Sequence, residues 1–524
     1  MKKITLLVVL LLSILVAQPA NANPRTILFV PADDRPVSFE YVVDTARAAG
    51  MKIITPPSGL LGNRTSLGNP DGLWDWVLDH VQEADAVVLS GDAMLYGSLV
   101  GSREHDYANE ILQRRMEKFS KLKELNRFAP VYVFATIMRT PKMSAGGVEP
   151  DYYEKYGPAI YQITALEDKR DMGPLTQGEK DQLQKLGAAV PQSAISAWMA
   201  RRERNFNMDV RQIGAAKDGT FDYLILGRDD CSPFSQSHKE SRLLSQVAGD
   251  LPESRYTSFP GADQLGMLLI TRAVNNLDWR IPFVRVIYAD GAGPKTVPTY
   301  EDKEVGQTIP SQIAAAGGIM LDNPVSPDLV LAVNTPENGE TLEANSPTNQ
   351  GAVSPASAAF AARIGAELAG GTPVAVANIA FSNGADNGFM TELNRRHLLP
   401  RLAAISGWNT AGNTIGYTIS QGMLAAGMTP ADKNRLLVTR LLDDWAYQAN
   451  IRGKIAAEVL TPAGGSYFYL NQMRPKITAE TQREIQAFAA ANLQDFATDN
   501  IKVFFPWNRM FEAEIQNSPA TVSQ

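Results

Sequence analysis

Again and again along this chain, a short apolar run of strand length stops at a knot of small polar or charged residues. Ile27 to Val30 empties into Asp33, Asp34, Arg35 and Pro36, and the pattern returns at Ser90 to Met94, Thr136 to Pro141 and Gly227 to Phe234. It returns again at Tyr288 to Gly293, Val333 to Asn338 and Asn378 to Asn387. Continuous apolar runs, rather than alternating ones, belong to strands covered on both faces. Between them lie helical spacings: Val42, Val43, Ala46 and Ala49; then Trp74, Val77, Leu78 and Val81; then Leu112, Met116, Phe119, Leu122 and Leu125. Strand–helix alternation with long connections predicts an α/β fold of doubly wound, mostly parallel sheets. Such sheets bind ligands where the strand carboxyl ends meet helix N-termini. The expected site is therefore assembled from several strand ends.

Residues 23–140 read as a first α/β unit. Residues 141–215 read as a helical insertion, marked by Gly146-Gly147, by Tyr152, Tyr153, Tyr156 and Tyr161, and by the capping box Thr176…Glu179. It serves either as a lid over the strand ends or as surface padding. Residues 216–423 resume the alternation as a second α/β unit, and 424–524 are mostly helical until the strand-like run Val503 to Trp507, expected to rejoin a sheet. A distorted β/α barrel is the second choice, because it shows the same alternation.

Lys2 and Lys3, the apolar run Ile4 to Val16 and the small residues Ala20-Asn21-Ala22 form a secretory signal pattern over residues 1–22, with cleavage expected after Ala22. The expected location is periplasmic or secreted. A membrane-spanning helix needs about 20 apolar residues; this run is shorter and no later one approaches that length, so no stable membrane insertion is expected. A formal net charge of −7 without a basic stripe argues against nucleic acid. The single cysteine, Cys231, excludes an intramolecular disulfide and reads as a buried thiol, not a nucleophile.

Four constellations carry chemistry. Asp33, Asp34 and Arg35 offer adjacent carboxylates and a planar donor fork at a strand end. Arg228, Asp229 and Asp230, with His238 nearby, supply the ingredients for acid–base chemistry or for a divalent cation with one imidazole ligand. Asp92, Asp263 and Asp290 stand at further strand ends, where each serves equally well as a turn or cap residue. Asn383 and Asp386, then Trp408, Asn409 and Asn413, interleave amides with glycine and one indole, a composition suited to a polyhydroxylated ligand. No G-x-S-x-G elbow, Walker loop or H-E-x-x-H pair occurs, and with four histidines a multi-histidine zinc site is not expected.

The DDRP strand end, GRDDCSPFSQS, FPGADQLGMLL and above all SGWNTAGNTIG resemble the bacterial domain-of-unknown-function family numbered 4127. The resemblance runs over essentially the whole mature chain, implying one shared architecture and supplying no reaction. Proteins of that kind commonly carry Glu at the position of Asp34, so a role needing the longer side chain is not implied here.

The combined expectation is an exported carbohydrate-active hydrolase, a glycosidase in which Asp33 or Asp34 works with Asp229 or Asp230. Arg35, Asp92, Arg228, Asn383, Asp386, Trp408, Asn409 and Asn413 would bind the small-molecule or glycan substrate. The alternatives are a non-catalytic periplasmic binding protein, or a metal-assisted hydrolase or isomerase using Asp229, Asp230 and His238.

Overall fold

The computed structural model describes residues 24–144, 146–322 and 326–517; the expected leader and its cleavage point lie outside them. The first sheet has six strands: β1 (Thr26–Val30), β2 (Lys52–Ile54), β3 (Ala86–Ser90), β4 (Val131–Ile137), β5 (Tyr223–Arg228) and β6 (Tyr256–Pro260). All pairings are parallel, in the order β2-β1-β3-β4-β5-β6. The second sheet has five: β7 (Phe283–Tyr288), β8 (Ile319–Met320), β9 (Leu329–Asn334), β11 (Val374–Asn378) and β13 (Ala404–Ser406). Their order is β13-β11-β9-β7-β8, again all parallel. The fragments β10 (Leu342–Glu343) and β12 (Phe381–Ser382) pair beside it. Both sheets are open, so the α/β expectation holds in its doubly wound form and the barrel does not.

The two sheets share one topology. Read from the first strand outward, each places its second strand on one side and its third, fourth and fifth on the other. Each therefore has a switch point, between β1 and β3 and between β7 and β9, where successive connections leave in opposite directions and a crevice opens at the strand ends.

Strands β5 and β6 belong to the first sheet, so that sheet extends well past residue 216, where a second unit was expected to begin. Apolar runs identify strands without identifying their neighbours, and β4 and β5 pair across the long helical excursion 151–218. The run at Val503 joins neither large sheet. Ile501–Phe504 (β14) pairs antiparallel with Glu514–Asn517 (β15) as a separate two-stranded ribbon.

One core unites the halves. Helix Leu265–Leu277 packs on β3 and β4, helix Ala411–Leu424 packs on β11 and β13, and the two helices pack on each other. Leu265, Leu268, Leu269 and Ile270 from one helix and Ile415 and Ile419 from the other are fully buried in this layer. An apolar side chain of this size contributes about 1.5–3 kcal/mol when removed from water. The sheets are thereby held as one body, with loops of the second reaching the strand ends of the first.

Candidate active site

A cavity of about 390 Å³ opens over the carboxyl ends of the first sheet. Its walls come from the segments after β1 (Arg35), β3 (Arg103), β4 (Arg139), β5 (Asp229, Asp230) and β6 (Asp263). Asn383, Asn409 and Asn413 enter from the second half, and Trp507, Arg509 and Phe511 from the loop of the β14–β15 ribbon.

Charges alternate around the wall. Arg35, 6 % exposed, donates through Nε and Nη2 to Asp33 and through Nη2 to Asp263 at 2.8 Å. Arg103 pairs with Asp229 at 2.6 Å and stands 3.7 Å from Glu149, which Arg139 also holds. Arg139 in turn reaches Asp230 at 2.7 Å. The sequence along this chain is Asp229, Arg103, Glu149, Arg139, Asp230, each charge buried beside its opposite, as desolvation demands. Arg509 closes on Glu512 and lies over the rings of Trp507 and Phe511.

Two cavity carboxylates live in opposed environments. Burial raises Asp230; Arg139 pulls it down, but the negative charge of neighbouring Asp229 adds to burial, and the carboxyl ends above its ordinary value. Burial would also raise Asp263, yet the Arg35 guanidinium and the Trp408 and Asn409 donors outweigh it and hold that carboxyl below the usual range. Those donors are Trp408 Nε1 at 3.2 Å and Asn409 Nδ2 at 3.1 Å, both on Oδ2.

The backbone is strained here. Asp230 (φ 33°), Tyr300 (φ 72°), Asn383 (φ 59°) and Asn409 (φ 58°) all adopt left-handed conformations, and all four line this cavity. Such residues persist only where surrounding contacts over-determine them, and they gather at ligand sites. Some contacts are visible. Asn383 N–H donates to the Asn409 carbonyl, and Asn383 Nδ2 to Glu343 at 2.9 Å. Asn413 Oδ1 accepts from the Ala262 and Asp263 N–H groups. A rare π-helical stretch, Leu441–Ile451, supplies Asp444, whose side chain accepts from Ser406 Oγ and Gly407 N and whose carbonyl accepts from Ala385 N. Gly412 can lie against the Pro260 carbonyl only because it lacks a Cβ, which would stand 2.5 Å from that oxygen. Its N–H meets Glu301, whose carboxyl burial raises to about 8.

The structure gathers Arg35, Asp229, Asp230, Asn383, Asn409 and Asn413 on the cavity wall. Asp33 stands behind it, its oxygens taken by Arg35. Asp34 accepts from Trp507 Nε1 at 2.7 Å. Trp408, expected to bind the substrate, is 2 % exposed and acts through its indole N–H on Asp263. The cavity's own indole is Trp507. Asp92 is turned to Thr136, accepting from its N–H and hydroxyl. Arg228 is buried against Asp302 at 2.8 Å. Asp386 caps helix Asn387–Arg395, away from this cavity. His238 bonds Asp168 at 2.6 Å and does not line the cavity with Asp229 and Asp230. Among the described residues no group of three or more His, Cys, Asp or Glu side chains is arranged to hold a metal ion. Cys231 is buried and its thiol is pushed well up by burial, in keeping with an inert thiol.

Arg103, Glu149, Tyr300, Trp507 and Arg509 carried no local signal. Arg139 did: it stands in the polar stop just after the strand Val131–Ile137, as Arg35 stands in the stop after Thr26–Val30.

No curated protein and no solved structure matches this chain. The family model described as Protein of unknown function (DUF4127) matches residues 27–516, from the first strand almost to the end of the last, and the chain belongs to that family.

Proposed function

We propose that this cavity hydrolyses a glycosidic bond, with Asp230 as general acid and Asp263 as nucleophile or base. The observation that carries this reading is the opposed setting of two carboxylates that line one cavity: Asp230 is raised and Asp263 lowered. Environments that push two carboxyl groups apart in this way assign an acid and a base. In the step, Asp230 gives its proton to the leaving oxygen as the C–O bond breaks, and Asp263 either forms a bond to the anomeric carbon or takes a proton from the attacking water. Asp33 and Asp229 become supports, since Arg35 and Arg103 occupy them. Three amides and the Trp507 and Phe511 rings suit a polyhydroxylated ligand. The export signal read in residues 1–22 fits a protein that meets envelope or environmental glycans outside the cytoplasm.

The test is hydrolysis of an aryl-glycoside and oligosaccharide panel by the purified protein, with and without EDTA. Cleavage is expected to fall about 10²- to 10⁴-fold in Asp230→Asn, more for unactivated leaving groups than for acidic aryl ones, while Asp263→Asn loses both equally. One observation favours a second reading: each carboxylate on this wall already has an arginine partner, as suits a binding protein. Saturable sugar binding with no cleavage across the panel would select it.

A further inference from the structure

The second sheet has a crevice of its own. A cavity of about 210 Å³ lies at the β7/β9 switch point, the topological counterpart of the β1/β3 position. Asp290 follows β7, Asn334 and Thr335 end and follow β9, and Ala380 follows β11. Asn334 Nδ2 donates to Asn378 Oδ1 at 3.1 Å and to Asp386 Oδ2 at 3.2 Å, fixing both acceptors. Thr335 lines this cavity at 3 % exposure, and its hydroxyl has no hydrogen-bond partner among the described residues. A buried hydroxyl without a partner costs about 1–3 kcal/mol, which a ligand group would recover.

The chemistry of the wall is one-sided. Asp290, Glu337, Glu340 and Asp386 line it, and no lysine or arginine does. Arg363 reaches one of these carboxylates, Asp290, at 3.3 Å from outside the wall. The two helix starts here are already capped, Ser354 accepting from Ser357 N and Asp386 from Phe389 N, so an anion finds no free N-terminal donors. Nor are these carboxylates gathered as metal ligands, since no group of three or more such side chains is arranged to hold an ion among the described residues. What the wall offers is carboxylates without a lining cation, and an ammonium group is a cation made of donors. Burial lifts the Asp386 carboxyl above its ordinary value, a cost that a neighbouring cation relieves.

We infer that the β7/β9 crevice is a second binding site, separate from the first, for a small organic cation bearing a primary ammonium group. The ammonium donates to Asp386 and Thr335, and Glu337 at the mouth supplies the longer-range attraction.

Calorimetric titration of the full chain with ethanolamine and with 1,4-diaminobutane tests this, with ethylene glycol and inorganic phosphate as comparators. The expected result is saturable binding of at least one amine and none of ethylene glycol or phosphate. Thr335→Val keeps the side-chain shape and is expected to weaken the amine about tenfold. Glu337→Gln, at an exposed position that does not endanger folding, weakens it to a smaller extent and makes it less salt-dependent, whereas Asp230→Asn in the first cavity leaves it unchanged. Absence of saturable amine binding overturns the inference. So does equal binding of ethylene glycol, or an amine affinity that Asp230→Asn abolishes and Thr335→Val leaves intact.

Discussion

The two crevices are built on the same strand order and differ almost wholly in charge. Over the first sheet, arginines 35, 103 and 139 thread between carboxylates, so that nearly every buried charge has a partner. Over the second, carboxylates and amides stand without a lining cation. Topology set where each crevice lies, and the few residues just beyond each strand set what it can hold. The difference also predicts how each region responds to change. Paired buried charges are costly to break, whereas acceptors facing a small cavity are not.

The largest effect should follow from Arg35→Ala. It leaves Asp33 and Asp263 buried together without their shared cation, a loss of about 3–5 kcal/mol, measured as a lowered urea midpoint at unchanged slope. A loss under 1 kcal/mol would erase the contrast between the crevices.

Next is pH. Burial raises Asp92 and Asp443 to about 7 and Glu301 to about 8, against about 4 in an unfolded chain. The folded state therefore holds protons that the unfolded state releases. Their stabilising contribution is complete below about pH 4 and is lost as pH rises through about 7 to 8. Thermal midpoints should decline over that window, and Asp92→Asn together with Glu301→Gln should flatten the decline. An unchanged slope in the double variant would remove these groups from the account.

In the second crevice, Asp386→Ala removes a helix cap and the acceptor of Asn334. The expected cost is only about 1 kcal/mol, read by the same urea titration. The smallest effect belongs to Asp230→Asn, which breaks a pair but leaves Arg139 its Glu149 partner, removes a like charge beside Asp229 and places asparagine at φ 33°, a conformation asparagine tolerates well. Stability should stay within about 1 kcal/mol of the parent protein, so that any loss of cleavage reports chemistry and not unfolding.

Much of this was legible in the chain. The apolar runs mark the strands, and their polar stops at Asp33-Asp34-Arg35, Gly227 to Asp230, Tyr288 to Gly293 and Val333 to Asn338 mark both crevices. Sheet membership was not legible, because hydrophobic period tells that Tyr223–Arg228 is a strand and says nothing of its pairing with β4 across a long insertion. The arginine partners were hidden for the same reason: Arg103 sits in a short helix and Glu149 in a loop, and they meet only in three dimensions. Trp408 misled through its neighbours, since an indole among amides suits a sugar platform and a buried donor equally well. Trp507, on a ribbon near the chain end, gave no sign that it returns to Asp34.

The opposite tuning of two carboxylates in one cavity can be measured without knowing the substrate. Aspartate ¹³Cγ titration of the full chain, with Asp230→Asn and Asp263→Asn used to assign the signals, reads both groups directly. The account predicts that Asp263 stays ionised to lower pH than an ordinary aspartate while Asp230 takes its proton at higher pH. Two ordinary titrations, or the reverse order, would contradict it.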